Sequence, residues 1–170
     1  MANIDDPRGF RPYQWEGKTY RSREYTKTAA QTIYEGDLLK RVAAGTVQVH
    51  VNGDTDPIVG VAAHYSPAAD TVMDVIDDPE VTYVAQCSGT FAAADAGSNA
   101  DVAAAPSPDT DLNRSGQEVD GTFATTATLP LKVFGLAPQI NDEPNDAGAA
   151  NADLLVKINQ SERTAGVAGI

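Results

Sequence analysis

The sequence predicts a mainly β protein, a small antiparallel β-barrel or sandwich with an extended N-terminal arm. Three observations predict it. Val, Ile and Thr make up 37 of the 170 residues against eight Leu and two Met, a bias toward side chains that suit a pleated surface. Some eight short apolar runs follow one another with Gly, Pro, Asn and Asp between them. No helical period is sustained beyond about ten residues. Leu, Ile, Val and Phe together reach only 34 residues, so the core is expected to be modest and the ends long.

The elements follow in order. Residues 1–30 hold Phe10, Tyr13, Trp15, Tyr20 and Tyr25, five of the eleven aromatics, interleaved with Arg11, Lys18, Arg21, Arg23 and Lys27. A polar segment with rigid aromatic and arginine anchors suits an interface arm, and it equally suits a lid folded back on the domain's own core. On the arm reading, Phe10, Arg11, Tyr13, Trp15, Tyr20, Arg21, Arg23 and Tyr25 form an interface to a partner protein or a sister subunit, and cutting away residues 1–30 leaves a folded domain. Residues 31–160 read as the β domain, and residues 161–170 as a small-residue tail.

Within the domain, Thr32-Ile33-Tyr34 and Leu38 to Val42 flank the turn Glu35-Gly36-Asp37. Val47, Val49 and Val51 alternate with Gln48 and His50, the pattern of a half-buried strand. Asn52-Gly53-Asp54 supplies a tight turn, and Pro57 to Ala63 reads as the return strand. Thr71 to Ile76 and Val81 to Cys87 come next, separated by the corner Asp77-Asp78-Pro79. An alanine-rich stretch broken at Gly97-Ser98-Asn99 predicts one short helical turn over Ala92 to Ala96. Gln117 to Asp120, Thr122 to Thr128, Leu129 to Leu136 and Asp153 to Asn159 complete the strands, with Pro130 placing the start of its strand at an edge or bulge.

Charge narrows the partners. The net charge is −12, yet residues 1–41 carry eight basic and six acidic side chains. The acidic remainder repels nucleic acid and anionic membrane, because non-specific phosphate binding needs cationic neutralisation. No apolar run approaches the roughly 18 residues of a membrane span, and the polar start from Met1 to Pro12 lacks the form of a secretory leader. The expected product is a soluble protein made in the cytoplasm and not exported, with neither nucleic acid nor membrane as a partner.

Chemistry is sparse. Cys87 stands alone with His50 and His64, too few ligands for a structural zinc site, and it reads as a small buried hydrophobe. No glycine-rich phosphate loop precedes a helix, and Gln86-Cys87-Ser88-Gly89 lacks the leading glycine of a nucleophile elbow. Both histidines read as surface or packing residues. Asp109-Thr110-Asp111-Leu112-Asn113 places oxygen groups at alternate positions as a calcium loop does, but Arg114 occupies the place of the sharp-turn glycine and Asp120 that of the bidentate Glu. A carboxylate pair such as Asp74 and Asp77 has nothing in the sequence to set its two acidities apart. No catalytic residue, metal ligand or cofactor is expected, and the chain is read as non-enzymatic.

The run Gly36-Asp37-Leu38-Leu39-Lys40, the strand Ile58 to Ala63, the corner Val75-Ile76-Asp77-Asp78-Pro79, and the late strands Leu131 to Leu136 and Leu154 to Asn159 resemble the small capsid decoration, or cement, proteins of tailed bacteriophages. The resemblance spans about residues 31–160 and rests on the order of the motifs. It implies an all-β domain on the outer surface of a phage head shell. There it would bind the major capsid protein and bridge neighbouring capsomers, often as a homotrimer or homodimer. The arm lies outside the matching pattern. A β-sandwich receptor or carbohydrate-binding module of a virion surface or tail is the alternative. It needs an exposed aromatic platform, whereas Tyr65, Tyr83, Phe91, Phe123 and Phe134 mostly fall on apolar strand faces.

Overall fold

A computed structural model describes residues 2–13, 19–104, 107–138, 144–163 and 169. The strands are β1 (Arg11–Pro12), β2 (Ser22–Thr26), β3 (Leu38–Arg41), β4 (Val47–Val49), β5 (Ile58–Ala62), β6 (Val72–Ile76), β7 (Thr82–Gln86), β8 (Asn99–Ala100), β9 (Leu131–Leu136) and β10 (Asp153–Ile158), with a single 3-10 turn at Ala93–Asp95. They form two antiparallel five-stranded sheets, ordered β1-β7-β10-β9-β8 and β2-β6-β5-β3-β4. The fold is mainly β and sandwich-like, as the composition predicts, and it is not a closed barrel.

The main core lies between the sheets. Leu38, Ile58, Val61 and Ile76 from the β2-to-β4 sheet meet Tyr83, Ala85, Leu131, Val133, Leu154 and Val156 from the other, with Phe10 and Phe91 filling in. A second, smaller core sits under the β2-to-β4 sheet and holds Ile33, Leu39, Val47, Val59, Met73 and Val75. That sheet therefore buries both faces at its centre, and all five residues of β5 are buried. Gly60 makes this possible at the crowded β5–β6 contact, where a Cβ would lie 2.2 Å from the Ile76 carbonyl oxygen.

The two edges of this sheet approach each other at one corner. Lys27 bridges Val47 in parallel, the Thr28 amide donates to the Val47 carbonyl at 2.9 Å, and the Thr28 and Thr46 hydroxyls are 2.8 Å apart.

Several expected elements take another form. The chain after Asn52-Gly53-Asp54 does not return against β4; β5 pairs with β3 on the side away from β4. The cause is the connecting loop, which Lys40 of β3 ties down through Asp54 at 2.6 Å and Asp56 at 3.1 Å. The loop is thereby carried across β3. The alternation also ends at Val49: His50 is fully buried and Val51 is exposed, because Gln117 Nε2 donates to the His50 carbonyl at 2.7 Å and draws the chain inward. Ile33, Val119 and Ala124 contribute only isolated bridges, two of them at Val119, instead of the strands expected around them.

The helical turn forms where expected, and the Asp95 carboxylate accepts the Ala92 amide at 2.8 Å. Phe134 is exposed, not inward-facing, because β9 bulges there. Val133 pairs with Val156 and Gly135 with Leu155, which leaves Phe134 unpaired between them. The sequence places an edge or bulge at Pro130, and the bulge in the β9–β10 pairing lies four residues further on.

Candidate interface formed by the N-terminal segment

The described part of residues 1–30 is laid along both sheets, β1 against β7 and β2 against β6. The crossing begins at two glycines. Gly9 and Gly36 both have positive φ, and a Cβ on Gly9 would lie 2.7 Å from the Gly36 carbonyl oxygen. Only glycine permits this approach. It lets the Phe10 amide donate to the Gly36 carbonyl at 2.9 Å and drops the Phe10 ring into the main core. Phe10 is only 1% exposed and is therefore a core residue, not an interface anchor.

Arg11 and Pro12 then pair with Val84 and Tyr83 of β7, and the Tyr13 amide donates to the Thr82 carbonyl at 2.8 Å. Trp15 lies outside the described residues. Tyr20 is exposed. β2 pairs in antiparallel register with β6, Arg23 opposite Val75 and Tyr25 opposite Met73. Arg21, Arg23 and Tyr25 occupy alternate positions and so share one face.

That face converges on one carboxylate. Asp77 follows β6, and its side chain is fully buried. Arg21 Nε donates to Asp77 Oδ1 at 3.0 Å, and the Tyr25 hydroxyl donates to Oδ2 at 2.9 Å. Arg163, from the segment after β10, reaches Oδ2 at 2.7 Å, and Arg23 stands 3.5 Å away. Burial alone would raise the pKa of Asp77, but the hydrogen bonds and cations around it hold that pKa below the usual carboxylate value.

The same contacts push the Tyr25 phenol upward, through burial first and the Asp77 carboxylate second. Arg41 stacks 5.4 Å over the Tyr25 ring and pairs with Glu162 at 2.6 Å. Four arginines thus gather beside β2 on a chain of net charge −12. Their side chains remain between 37% and 53% exposed, so they are available to a partner.

The structure therefore brings together Arg21, Arg23 and Tyr25 and leaves Tyr20 accessible beside Arg11. Sequence reasoning did not find Asp77 as the hub, nor Arg163. The spacing Arg21-x-Arg23-x-Tyr25 carries the signal: cations at alternate positions on one face of a strand need an anion beside them.

Other reactive groups are occupied. Cys87 is buried, which raises its thiol pKa and keeps it protonated. Lys27 Nζ lies 2.9 Å from Ser66 Oγ, a pairing that hydrolases use for nucleophile and base. Here the ammonium also donates to the Ser66 and Pro67 carbonyls, and both side chains are buried. The pair acts as a structural clamp. Asp109 Oδ1 accepts the Asp111 and Leu112 amides at 3.0 Å each, and its Oδ2 accepts Arg114 at 3.2 Å. That carboxylate closes its own loop. Among the described residues no group of three or more His, Cys, Asp or Glu is placed to hold a metal ion, and no helix is long and apolar enough to cross a membrane.

No family model, no curated protein and no solved structure matches this chain.

Proposed function

We propose that this chain is a non-enzymatic structural protein of a tailed-phage virion that binds the outer surface of the head shell and bridges neighbouring capsomers. Its partners on this reading are the major capsid protein and further copies of itself, as a trimer or dimer. The observation that carries the proposal is the accessible arginine and tyrosine face of β2 on an otherwise acidic body. Tyrosine and arginine are the residues most often found to dominate binding energy at protein interfaces. The resemblance of the strand motifs to capsid decoration proteins supplies the identity of the lattice.

Repetition supplies the strength. A modest contact made several times by an oligomer on a symmetric shell becomes long-lived, because each further contact is intramolecular. The test is electron microscopy of heads mixed with the purified protein. Ordered outer density is expected with the natural protein. It should weaken when Tyr20→Ala and Arg23→Ala are combined, two changes that spare the Arg21, Tyr25 and Arg163 bonds to Asp77. Heads that stay bare with the natural protein overturn the reading.

A further inference from the structure

A second group of arginines lies at the other end of the N-terminal segment, around a cavity of about 210 Å³. Its floor is apolar, made by Phe10, Ala62, Ala63 and Ile76, and its rim carries Arg8, Arg11 and Arg114 with Tyr20 and Glu35. Two of the three guanidinium groups are held by acidic neighbours. Arg8 donates through Nε to Asp6 at 2.7 Å, and Arg114 donates to Asp109 at 3.2 Å.

Arg11 has no hydrogen-bonded acid. Its nearest carboxylate, on Asp153, is 3.9 Å away, beyond hydrogen-bond reach, and its Nε is buried without an acceptor. The Nε of Arg114 is likewise buried without one. Three like charges beside one void, with unspent donors, are costly for the chain to assemble for packing alone.

We propose that this cavity receives a carboxylate carried on a short apolar stem. A planar guanidinium offers two parallel N–H groups that match a carboxylate, and the Ala62, Ala63 and Ile76 floor receives the stem. The surroundings select a single negative charge. Asp6 and Asp109 hold Arg8 and Arg114, which leaves the charge of Arg11 for a ligand, and one carboxylate matches it more closely than a dianion such as phosphate.

Under the reading above, on which this source rests, the carboxylate belongs to an acidic side chain of the shell. A free organic acid shares the same chemistry.

Butyrate, which mimics a glutamate side chain, serves as the probe and butyramide as its neutral control, both followed by NMR on the full-length protein. Butyrate should give saturable shifts at the Arg11 and Arg114 Nε–H signals, and butyramide none. Arg11→Gln should weaken butyrate binding about tenfold or more, the loss expected for a charge-assisted bond. Arg114→Gln serves as the second variant, and Arg11→Lys should restore only part of the affinity.

No saturable shift with butyrate, equal shifts with butyramide, or undiminished binding in both Gln variants would overturn the proposal. The same variants mixed with heads identify the source. Weaker attachment assigns the carboxylate to the shell, and unchanged attachment with lost butyrate binding assigns it to a free acid. If heads stay bare with the natural protein while butyrate binds, the shell reading fails and the cavity assignment stands.

Discussion

Asp77 concentrates more of the fold on one side chain than any other ionisable residue described here. Its carboxylate joins β2, the corner after β6 and the segment after β10. Removing it leaves Arg21, Arg23 and Arg163 facing one another without their anion. A fully buried pair broken this way costs about 3–5 kcal/mol, and solvent around these half-exposed arginines reduces that to about 2–3 kcal/mol. Asp77→Ala should lower the urea midpoint accordingly. A change below about 0.5 kcal/mol would show that the cluster is only surface decoration. Because the folded pKa of Asp77 is depressed, its stabilisation is present above the unfolded carboxylate value and is lost as pH falls through the folded one.

Asp37 runs the other way. Burial raises its pKa to about 6, only partly offset by the Ser115 hydroxyl and the Tyr34 amide. The folded state therefore holds the proton more tightly than the unfolded chain. Its favourable contribution is full below the unfolded value and disappears as pH rises through about 6. Asp37→Asn keeps an oxygen for the Tyr34 amide and removes the buried charge. It should stabilise the protein at pH 8 by on the order of 2–3 kcal/mol and have little effect near pH 4. His50 moves against this trend. Burial lowers its pKa, outweighing Asp54 and Asp101, so its own effect is destabilising as pH falls below the unfolded histidine value. Comparing denaturation of the Asn variant with the natural protein at each pH cancels the His50 contribution. A variant no more stable at pH 8 than the natural protein would refute the assignment to Asp37.

At the level of strands, the legible parts of the sequence were those where one face repeats or a turn residue punctuates. β3, β5, β6, β7, β9 and β10 all fall within expected runs, because apolar residues bounded by Gly, Pro or Asp have few other places to go. β2 was not legible. The face that meets Asp77 carries Arg21, Arg23 and Tyr25 in place of aliphatic residues, so the period of two is written in charge. The runs around Ile33, Val119 and Ala124 have strand composition but form only isolated bridges, since short apolar runs can equally cover a core that way. At the candidate site, residue types were legible and contacts were not: Phe10 looks like Tyr20 in sequence, and only the Gly9–Gly36 crossing sends the first inward.

Glycines test this account of the strands, because two of them are required for opposite reasons. Gly60 has an ordinary φ but no room for a Cβ against the Ile76 carbonyl, whereas Gly45 has open space and a φ of +83°. Gly60→Ala must push β5 from β6 and should cost about 3 kcal/mol or more, as overpacking against backbone does. Gly45→Ala should cost only the strain of a left-handed residue, about 1 kcal/mol. Thermal unfolding of the two variants should rank them in that order; the reverse order would mean that the close β5–β6 approach is not what holds Gly60 in place.

For the molecule as a whole, the N-terminal segment decides whether the domain can exist without it. Deleting residues 1–30 removes the Phe10 ring from the main core, strand β1 from the edge of β7 and strand β2 from the edge of β6. It also takes the buried Lys27 from Ser66 and leaves Arg163 as the sole arginine on Asp77 among those described. A buried Phe alone is worth about 3–5 kcal/mol, and breaking a buried charged group about as much again. Together these losses approach or exceed the 5–15 kcal/mol by which a domain of this size is usually stable. The truncated chain should therefore lack the dispersed amide NMR spectrum and cooperative melt of the full protein. An arm that only reached outward would leave both intact, so a folded truncated domain would return residues 1–30 to the role of a detachable arm. If the truncation instead unfolds, its failure to attach to a shell says nothing about contact residues, and the interface has to be mapped by substitutions at Tyr20, Arg23 and Arg11 that leave the core whole.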